Sequence, residues 1–384
     1  MHKIGGNMKK KIMHISQSNG GVARYLQMLL KFIDREKYEQ ILIYPRDYIN
    51  EKNEFKNLVD KIEFVDIYRE ISLINDIRSI IQVYKVIKKY DPDLIYVHSS
   101  KAGAVGRLAN IVIGKPIIYN PHGWAFNMNL SNMKRKVYIF IERLLSKFTD
   151  KIIVISNKEN IVAKENNICR KNNKIEVIIN GIDVEKYSNI KFDYSKFRKK
   201  LEIPEAVKVI GMVGRITFGK GPDVFVKVAE KISKIYKDCF FIIVGDGEER
   251  ESIEKLIKEK NLREKFLITG WVDNVYEYIN IFDIAMLLTR WEGFGLAIAE
   301  YMISGKPIIT TNVGAVPELI NNNQNGILVD INDSDDIVNK LIKLLEDDKL
   351  CESLSLNAKN RVIRNFDIRR VVIEHERVID EILK

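Results

Sequence analysis

Short runs of β-branched and aromatic residues alternate along the chain with longer segments whose apolar positions recur every three or four residues. The short runs fall at 11–16, 40–45, 62–66, 94–98, 116–120, 151–155 and 175–179 and read as strands. The second half repeats the style at 207–213, 240–244, 266–269, 284–288, 307–311 and 326–329. Between them, segments such as 22–32 and 71–89 carry helical periodicity. This alternation predicts an α/β protein with parallel sheets covered by helices on both faces, and two such series predict two doubly wound domains. The polar stretch 180–204 is the expected linker. The segment 368–384 reads as a helix that follows the second domain and packs on one domain or the other.

Length agrees with that division, because 384 residues exceed the roughly 250–300 that one core fills. A hydrophobic share of 46% excludes wholesale disorder. Cys169, Cys239 and Cys351 are odd in number and far apart, which argues against a disulfide framework or a zinc cluster and suits a reducing cytosol. No apolar run reaches the roughly 18 residues of a membrane span. The first eleven residues carry charge without an apolar segment behind it, so no signal peptide is expected, and Met1 and Met8 are both admissible starts. The expectation is a soluble, cytoplasmic protein.

Charge sharpens the picture further. The net charge is +10, with 32 basic and 20 acidic residues in 1–190 against 30 and 32 in 191–384. A basic first half admits nucleic acid, an anionic membrane surface or a phosphorylated substrate as partner.

In open parallel sheets ligands bind beyond the carboxyl ends of the strands, so the strand-to-helix turns carry the candidate chemistry. Gly20-Gly21, after the first strand, brings backbone amides near an anion, although a plain tight turn explains the pair equally well. His122, in Asn120-Pro121-His122-Gly123-Trp124, follows a strand. A lone histidine is most often structural, but this position raises the functional reading. The segment Gly214-Arg215-Ile216-Thr217-Phe218-Gly219-Lys220-Gly221 approaches a P-loop, yet Gly221 stands where a magnesium-binding Ser or Thr belongs. Its cations Arg215 and Lys220 still suit a diphosphate.

Gly245-Asp246-Gly247 opens like a dinucleotide fingerprint, but the acids around it would repel a pyrophosphate, and it reads as a turn and helix start. Asp91-Pro92-Asp93 lies at the wrong end of its strand for a metal site and reads as a turn. The acids at 330–336 read as helix capping rather than a calcium loop. The strongest signal is Trp291-Glu292-Gly293-Phe294-Gly295-Leu296-Ala297-Ile298-Ala299-Glu300, between a strand and a helix. Its helix-start amides suit phosphate oxygens, and a helical carboxylate such as Glu300 can accept two hydroxyl hydrogen bonds, as from a ribose.

Glu292 and Glu300, with seven residues between them, resemble the signature of retaining family 4 glycosyltransferases. Gly20-Gly21, Pro121-His122-Gly123, Gly214-Arg215, Lys220-Gly221, Gly305-Lys306-Pro307 and Gly314-Ala315-Val316-Pro317-Glu318 agree, in the family's order and over nearly the whole chain. His98-Ser99-Ser100-Lys101-Ala102-Gly103 and His122-Gly123-Trp124-Ala125-Phe126 look like members that build bacterial surface polysaccharides.

The resemblance implies the GT-B fold, two Rossmann-like domains facing across a cleft. An acceptor-binding domain would span 1–190, a nucleotide-sugar domain 191–366, and a closing helix 367–384. It implies that Arg215 and Lys220 hold the diphosphate without a metal or other cofactor. Glu300 would hold the ribose, and Glu292 and His122 would lie at the sugar. Gly21 and Gly214 would approach the diphosphate, Trp271 and Val272 would cradle the base, and Gly293, Phe294, Gly295 and Leu296 would offer amides. Departure of a diphosphate leaves negative charge that two cations and helix amides stabilise.

The implied partners are a nucleotide-sugar donor, with UDP favoured, and a saccharide or lipid-linked acceptor. In 133–150, Lys134, Arg135, Lys136, Arg143 and Lys147 interleave with apolar residues. That pattern suits peripheral contact with an anionic membrane, and equally a core-packed helix with a solvated basic side. Two rivals remain: a nucleotide-sugar epimerase of the same fold, which needs no acceptor, and a non-catalytic sugar-binding protein. Nucleic acid is not expected, since no recognition module accompanies the charge.

Overall fold

The computed structural model describes residues 9–17, 20–68, 70–128, 130–169, 172–188 and 192–384. Both admissible start methionines lie outside them, as do Ser18 and Asn19 of the first turn. The chain forms two units, Met1–Asn180 with Ile368–Lys384, and Gly181–Asp367. The breaks thus fall at 180 and 367, against the expected 190 and 366.

In the first unit the order is β1 (Lys10–Ser16), α1 (Gly21–Phe32), β2 (Tyr38–Pro45), α2 (Lys52–Phe55), β3 (Lys61–Val65), α3 (Leu73–Tyr90), β4 (Leu94–His98) and α4 (Ser100–Asn110). Then come β5 (Ile117–Asn120), α5 (Asn132–Leu145), β6 (Lys151–Val154), α6 (Asn157–Glu165) and β7 (Ile175–Val177). The seven strands are parallel, in the order β3-β2-β1-β4-β5-β6-β7.

Successive residues of a strand face opposite ways, so each strand feeds two apolar layers. Ile12, Leu42, Tyr96 and Ile118 join Tyr25, Leu26 and Leu29 of α1 in one layer. Met13, Ile43, Val97 and Tyr119 join Val83 and Ile87 of α3 and Ala102 and Val105 of α4 in the other. Burial on both faces is why these strands read as continuous apolar runs.

The second unit runs α7 (Val184–Ser188), α8 (Tyr194–Lys200), β8 (Lys208–Val213), α9 (Pro222–Ile235), β9 (Cys239–Val244), α10 (Arg250–Glu259), β10 (Phe266–Ile268), α11 (Val275–Ile281) and β11 (Ile284–Leu287). It closes with α12 (Leu296–Ile303), β12 (Ile308–Thr311), α13 (Val316–Leu319), β13 (Ile327–Val329), α14 (Ser334–Glu346) and α15 (Asp348–Asn365). Its parallel sheet is ordered β10-β9-β8-β11-β12-β13. All the expected strands are present, with ends within two residues of those read from the pattern.

The polar stretch 180–204 is not an open linker. Its described residues hold α7 and α8, and two of its aspartates cap them. Asp183 accepts from the Lys186 amide at 3.1 Å, and Asp193 from the Lys196 amide at 3.0 Å. Ile182, buried, bridges to Asp367. The last helix, α16 (Ile368–Leu383), belongs to the first unit, where Val371, Val372, Val378 and Ile379 complete the layer around α1. Asp333 caps α14 as expected, accepting from the Asp336 amide at 2.9 Å. Asp91 is the left-handed end of α3, paired with Lys115, and Asp93 accepts from the Lys11 amide.

Candidate functional site

In the second sheet the strand order reverses between β8 and β11, and that switch point opens a crevice at their carboxyl ends. The loops after these two strands carry most of the expected residues. Lys220, at the end of the β8 loop, donates from Nζ to Glu292 Oε2 at 2.5 Å, Glu292 being on the β11 loop. Glu292 is only 8% exposed, so this cation is what compensates its buried charge. Arg215 points elsewhere, its Nε donating to Glu248 on the β9 loop at 3.0 Å and its side chain well exposed.

Two glycines shape these loops. Gly221 takes φ +66 at the start of α9, and a Cβ there would lie 1.9 Å from the Leu288 carbonyl oxygen. The residue that spoils the P-loop pattern is thus required by close packing of the two loops. Gly314, after β12, would meet the Glu292 carbonyl oxygen at 2.0 Å, and the next residue, Ala315, donates its amide to that same oxygen at 3.1 Å.

A network absent from the sequence reading ties the β8 and β11 loops together. Arg290 grips Asp223 of α9 through both Nη atoms at 2.8 Å, donates from Nη1 to the Phe218 carbonyl at 2.7 Å, and stacks 3.9 Å over the Phe218 ring. Its backbone amide donates to the Gly219 carbonyl at 2.7 Å, where the Thr289 hydroxyl also donates. Partial burial would raise the Asp223 carboxyl, but the Arg290 guanidinium outweighs it and holds the group below the usual range. The only sequence signal for Arg290 was its place beside Trp291-Glu292.

Gly295 takes φ +101 and opens α12, which carries Leu296 in its first turn. Gly293 and Phe294 are buried in the same loop, the Phe294 ring meeting Phe366 at 5.9 Å, so any ligand contact by Phe294 falls to its backbone. Glu300, 2% exposed, accepts from the Tyr187 hydroxyl at 2.9 Å. That partner sits on α7, inside the stretch read as a linker. Gly270 forms a bridge with Gly245, which sets the β10 loop beside the β9 loop. Trp271 there is 62% exposed, an open aromatic face of the kind bases stack on, with Val272 half-buried beside it. Gly214 leads directly out of β8, its amide held by the Val244 carbonyl at 3.0 Å.

In the first sheet the order reverses between β1 and β4. Gly21 starts α1 beyond β1, after Gly20 at φ +68. His122, just past β5, takes φ +52, unusual for a residue with a side chain, and its amide donates to Asn120 Oδ1 at 2.9 Å. Ser99, just past β4, sits at φ 77 and ψ 159, a region that almost only glycine occupies.

His122 is not the lone histidine its motif suggests. Its Nε2 lies 3.0 Å from His98 Nδ1, His98 Nε2 lies 3.0 Å from His14 Nδ1, and His14 Nε2 lies 2.8 Å from Gln40 Oε1. Burial pushes His14 down to about 4 and His122 to about 3. It also takes His98 well below the ordinary range, with His122 and His14 adding to the effect, so all three rings are neutral at pH 7.

Among the described residues no cluster of three or more His, Cys, Asp or Glu side chains is arranged to hold a metal, and no helix is long and apolar enough to cross a membrane. Helix α5 leaves Met133, Val137, Phe140 and Leu144 exposed along one face, beside Lys134, Arg135, Lys136 and Arg143. Its opposite face is anchored by Glu142, which pairs with buried Arg107 at 2.9 Å and accepts from Tyr119 at 2.7 Å.

The family described as glycosyl transferases group 1 matches residues 193–361, and the one described as glycosyltransferase family 4 matches residues 19–186. The chain is 33% identical to an Escherichia coli UDP-Gal:alpha-D-GlcNAc-diphosphoundecaprenol alpha-1,3-galactosyltransferase, over 78% of each chain. It is 26% identical to the N-acetyl-alpha-D-glucosaminyl L-malate synthase of Bacillus anthracis, over 78% of this chain and 77% of that one. Among solved structures, Anabaena HepE with UDP and glucose superposes with a TM-score of 0.85 at 21% identity, covering 97% of this chain and all of that one. WaaG, a glycosyltransferase involved in lipopolysaccharide biosynthesis, gives 0.75 at 15% identity over 96% and 99%. Both show the fold. With each unit matched by a glycosyltransferase family model and a relative 33% identical over 78% of both chains, the chain belongs to the family 4 glycosyltransferases, enzymes of the GT-B fold.

Proposed function

We propose that this enzyme moves a sugar from a UDP-sugar to a lipid-linked saccharide in bacterial surface-polysaccharide synthesis, with retention at the anomeric carbon and without a metal. The observation that carries the reading is the Lys220–Glu292 pair at the switch point of the second sheet, beside the start of α12. An ammonium has three protons, so Lys220 can keep Glu292 while giving another to a phosphate oxygen. Glu292 aims that cation, and the amides at the start of α12 add positive potential where the leaving diphosphate gathers charge. Arg215, exposed and held by one surface carboxylate, supplies the second cation. Glu300, oriented by Tyr187, takes the ribose, and Trp271 takes the base.

UDP as carrier is supported by the E. coli relative's name and by the UDP complex of HepE. The α-linkage named for that relative is what retention from an α-linked donor produces. The diphosphoundecaprenol in the same name supports a lipid-linked acceptor. Membrane docking of the first unit is supported by the exposed apolar stripe of α5 between its cations. A second stripe adds to it: Leu73, Ile74, Ile77 and Ile81 are exposed on α3, which packs against the same sheet layer. Calorimetric titration with UDP, GDP and ADP in the presence of a chelator tests the donor assignment. UDP is expected to bind tightest with no loss on chelation, and preference for another base or a requirement for a divalent ion overturns it.

A further inference from the structure

His122 ends a row of three imidazoles that crosses the first sheet from β1 to the β5 loop, with Gln40 of β2 at its other end. The rings are nearly parallel, with His14 and His98 centroids 5.3 Å apart at 18°, and His98 and His122 5.3 Å apart at 23°. Tyr96 stacks on His98 at 4.2 Å, and Tyr25 meets His122 edge-on at 4.9 Å.

A neutral imidazole has one N–H and one lone pair, so a row of them must point one way throughout. The end group sets the direction. Gln40 is placed with its carbonyl oxygen toward His14 and its Nε2 buried without a partner. In that orientation His14 donates from Nε2 and is left with a lone pair on Nδ1, whereas the amide turned over would reverse the whole row. His98 must then donate from Nε2 to His14, and His122 from Nε2 to His98. The remaining nitrogen of His122, Nδ1, has no partner among the described residues.

We propose that Gln40, His14 and His98 are positioning residues that hold His122 in its Nε2–H tautomer, so that Nδ1 accepts a hydrogen bond from a hydroxyl of the transferred sugar. The second half rests on the reading of His122 as a sugar contact. The first half is a property of the buried row alone. Burial keeps every ring in the row neutral, so the row cannot satisfy itself by adding a proton. His375 of α16 gives an internal contrast. Its Nδ1 lies 2.7 Å from the Val371 carbonyl, which only accepts, so His375 is the Nδ1–H tautomer and accepts a hydrogen bond from the Tyr25 hydroxyl at Nε2, 3.1 Å away.

The experiment is long-range proton–nitrogen correlation NMR on the full chain with 15N-labelled histidine rings, with His122 assigned from a His122→Phe variant. Of the chain's five histidines, His14, His98 and His122 are expected as Nε2–H and His375 as Nδ1–H, while His2, outside the described residues, is identified and set aside with a His2→Gln variant. An Nδ1–H state at His122 in the native protein overturns the proposal without need of any further variant. Gln40→Met, close in shape but without the amide, is expected to abolish the single tautomer. It should also lower kcat about tenfold while KM for the nucleotide sugar and UDP affinity stay within about twofold. A Gln40→Met spectrum identical to the native one overturns the positioning role. A changed tautomer with unchanged kcat keeps the row's direction and removes His122 from the sugar.

Discussion

Lys220 and Glu292, separated by 72 residues, meet at 2.5 Å because their two strands are neighbours where the sheet order reverses. Under the proposed function each residue has two duties, one in stability and one in chemistry. Lys220→Ala is expected to cost about 1–2 kcal/mol of unfolding free energy, because a mostly buried carboxylate loses its partner. The same change should lower kcat by about a hundredfold or more, the range for one lost leaving-group contact. Adding Glu292→Gln removes the unpaired charge. Urea melts of the double variant should recover most of the lost stability, with turnover still low. A Lys220→Ala enzyme turning over within about threefold of the native rate denies it the leaving-group role.

Arg290 is expected to act through the Lys220 loop. Lysine at this position cannot fork onto Asp223 or stack flat on Phe218. Arg290→Lys should therefore raise hydrogen exchange at the Lys220 and Gly221 amides, whose bonds to Thr217 and Phe218 define the loop. It should also lower kcat/KM by about tenfold, roughly one charge-assisted hydrogen bond. Exchange in the loop unchanged from the native protein would show that Arg290 does not hold it.

Much of this architecture was legible because its signals are local. Strands buried on both faces announce themselves as apolar runs, and glycine loops at their carboxyl ends mark the crevice. Lys220, Glu292 and Glu300 could therefore be picked out from their spacing and the family it resembles. Their partners could not. Tyr187 reaches Glu300 from a stretch whose polar composition looked like a linker because its Asp residues are spent on helix caps. Asp223 and Arg290 meet across 67 residues, with no period to reveal them. His14 and His98 lie inside strands where either face is buried, so no alternation shows that they point toward one another.

Helix α5 tests the membrane reading directly. Phe140 is 65% exposed on the face opposite Glu142, so its loss leaves the packed side intact. Phe140→Glu is expected to weaken binding to anionic vesicles by about tenfold or more, since burying such a side chain is worth about 1.5–3 kcal/mol. Co-sedimentation at low salt and again at about 0.5 M salt checks it, because exposed cations act over a screened distance. Transfer to a soluble acceptor analogue should be unaffected. Equal sedimentation of native and variant proteins would remove α5 from the membrane contact.

The buried histidines set how the first unit responds to acid. His14 and His375 titrate at about 4 and His122 at about 3, below the ordinary 6.5, chiefly through burial. Between those values and 6.5 the unfolded chain binds protons that the folded one refuses, so stability falls as pH falls through that window. Carboxylates of this unit held below their usual range, such as Asp66 and Asp380, lose their contribution only as pH falls through and below about 4, which leaves the upper part of the window to the histidines. His375→Phe removes one such group together with its hydrogen bond to Tyr25. The variant is expected to be less stable at pH 7 but to lose stability more slowly on acidification. Between about pH 6 and pH 4.5 its slope should be shallower by about 1.1 kcal/mol per pH unit, most of one proton's worth. Urea unfolding at matched pH values measures both slopes. Parallel lines would mean that His375 takes up its proton in the folded state as readily as in the unfolded chain, despite its burial.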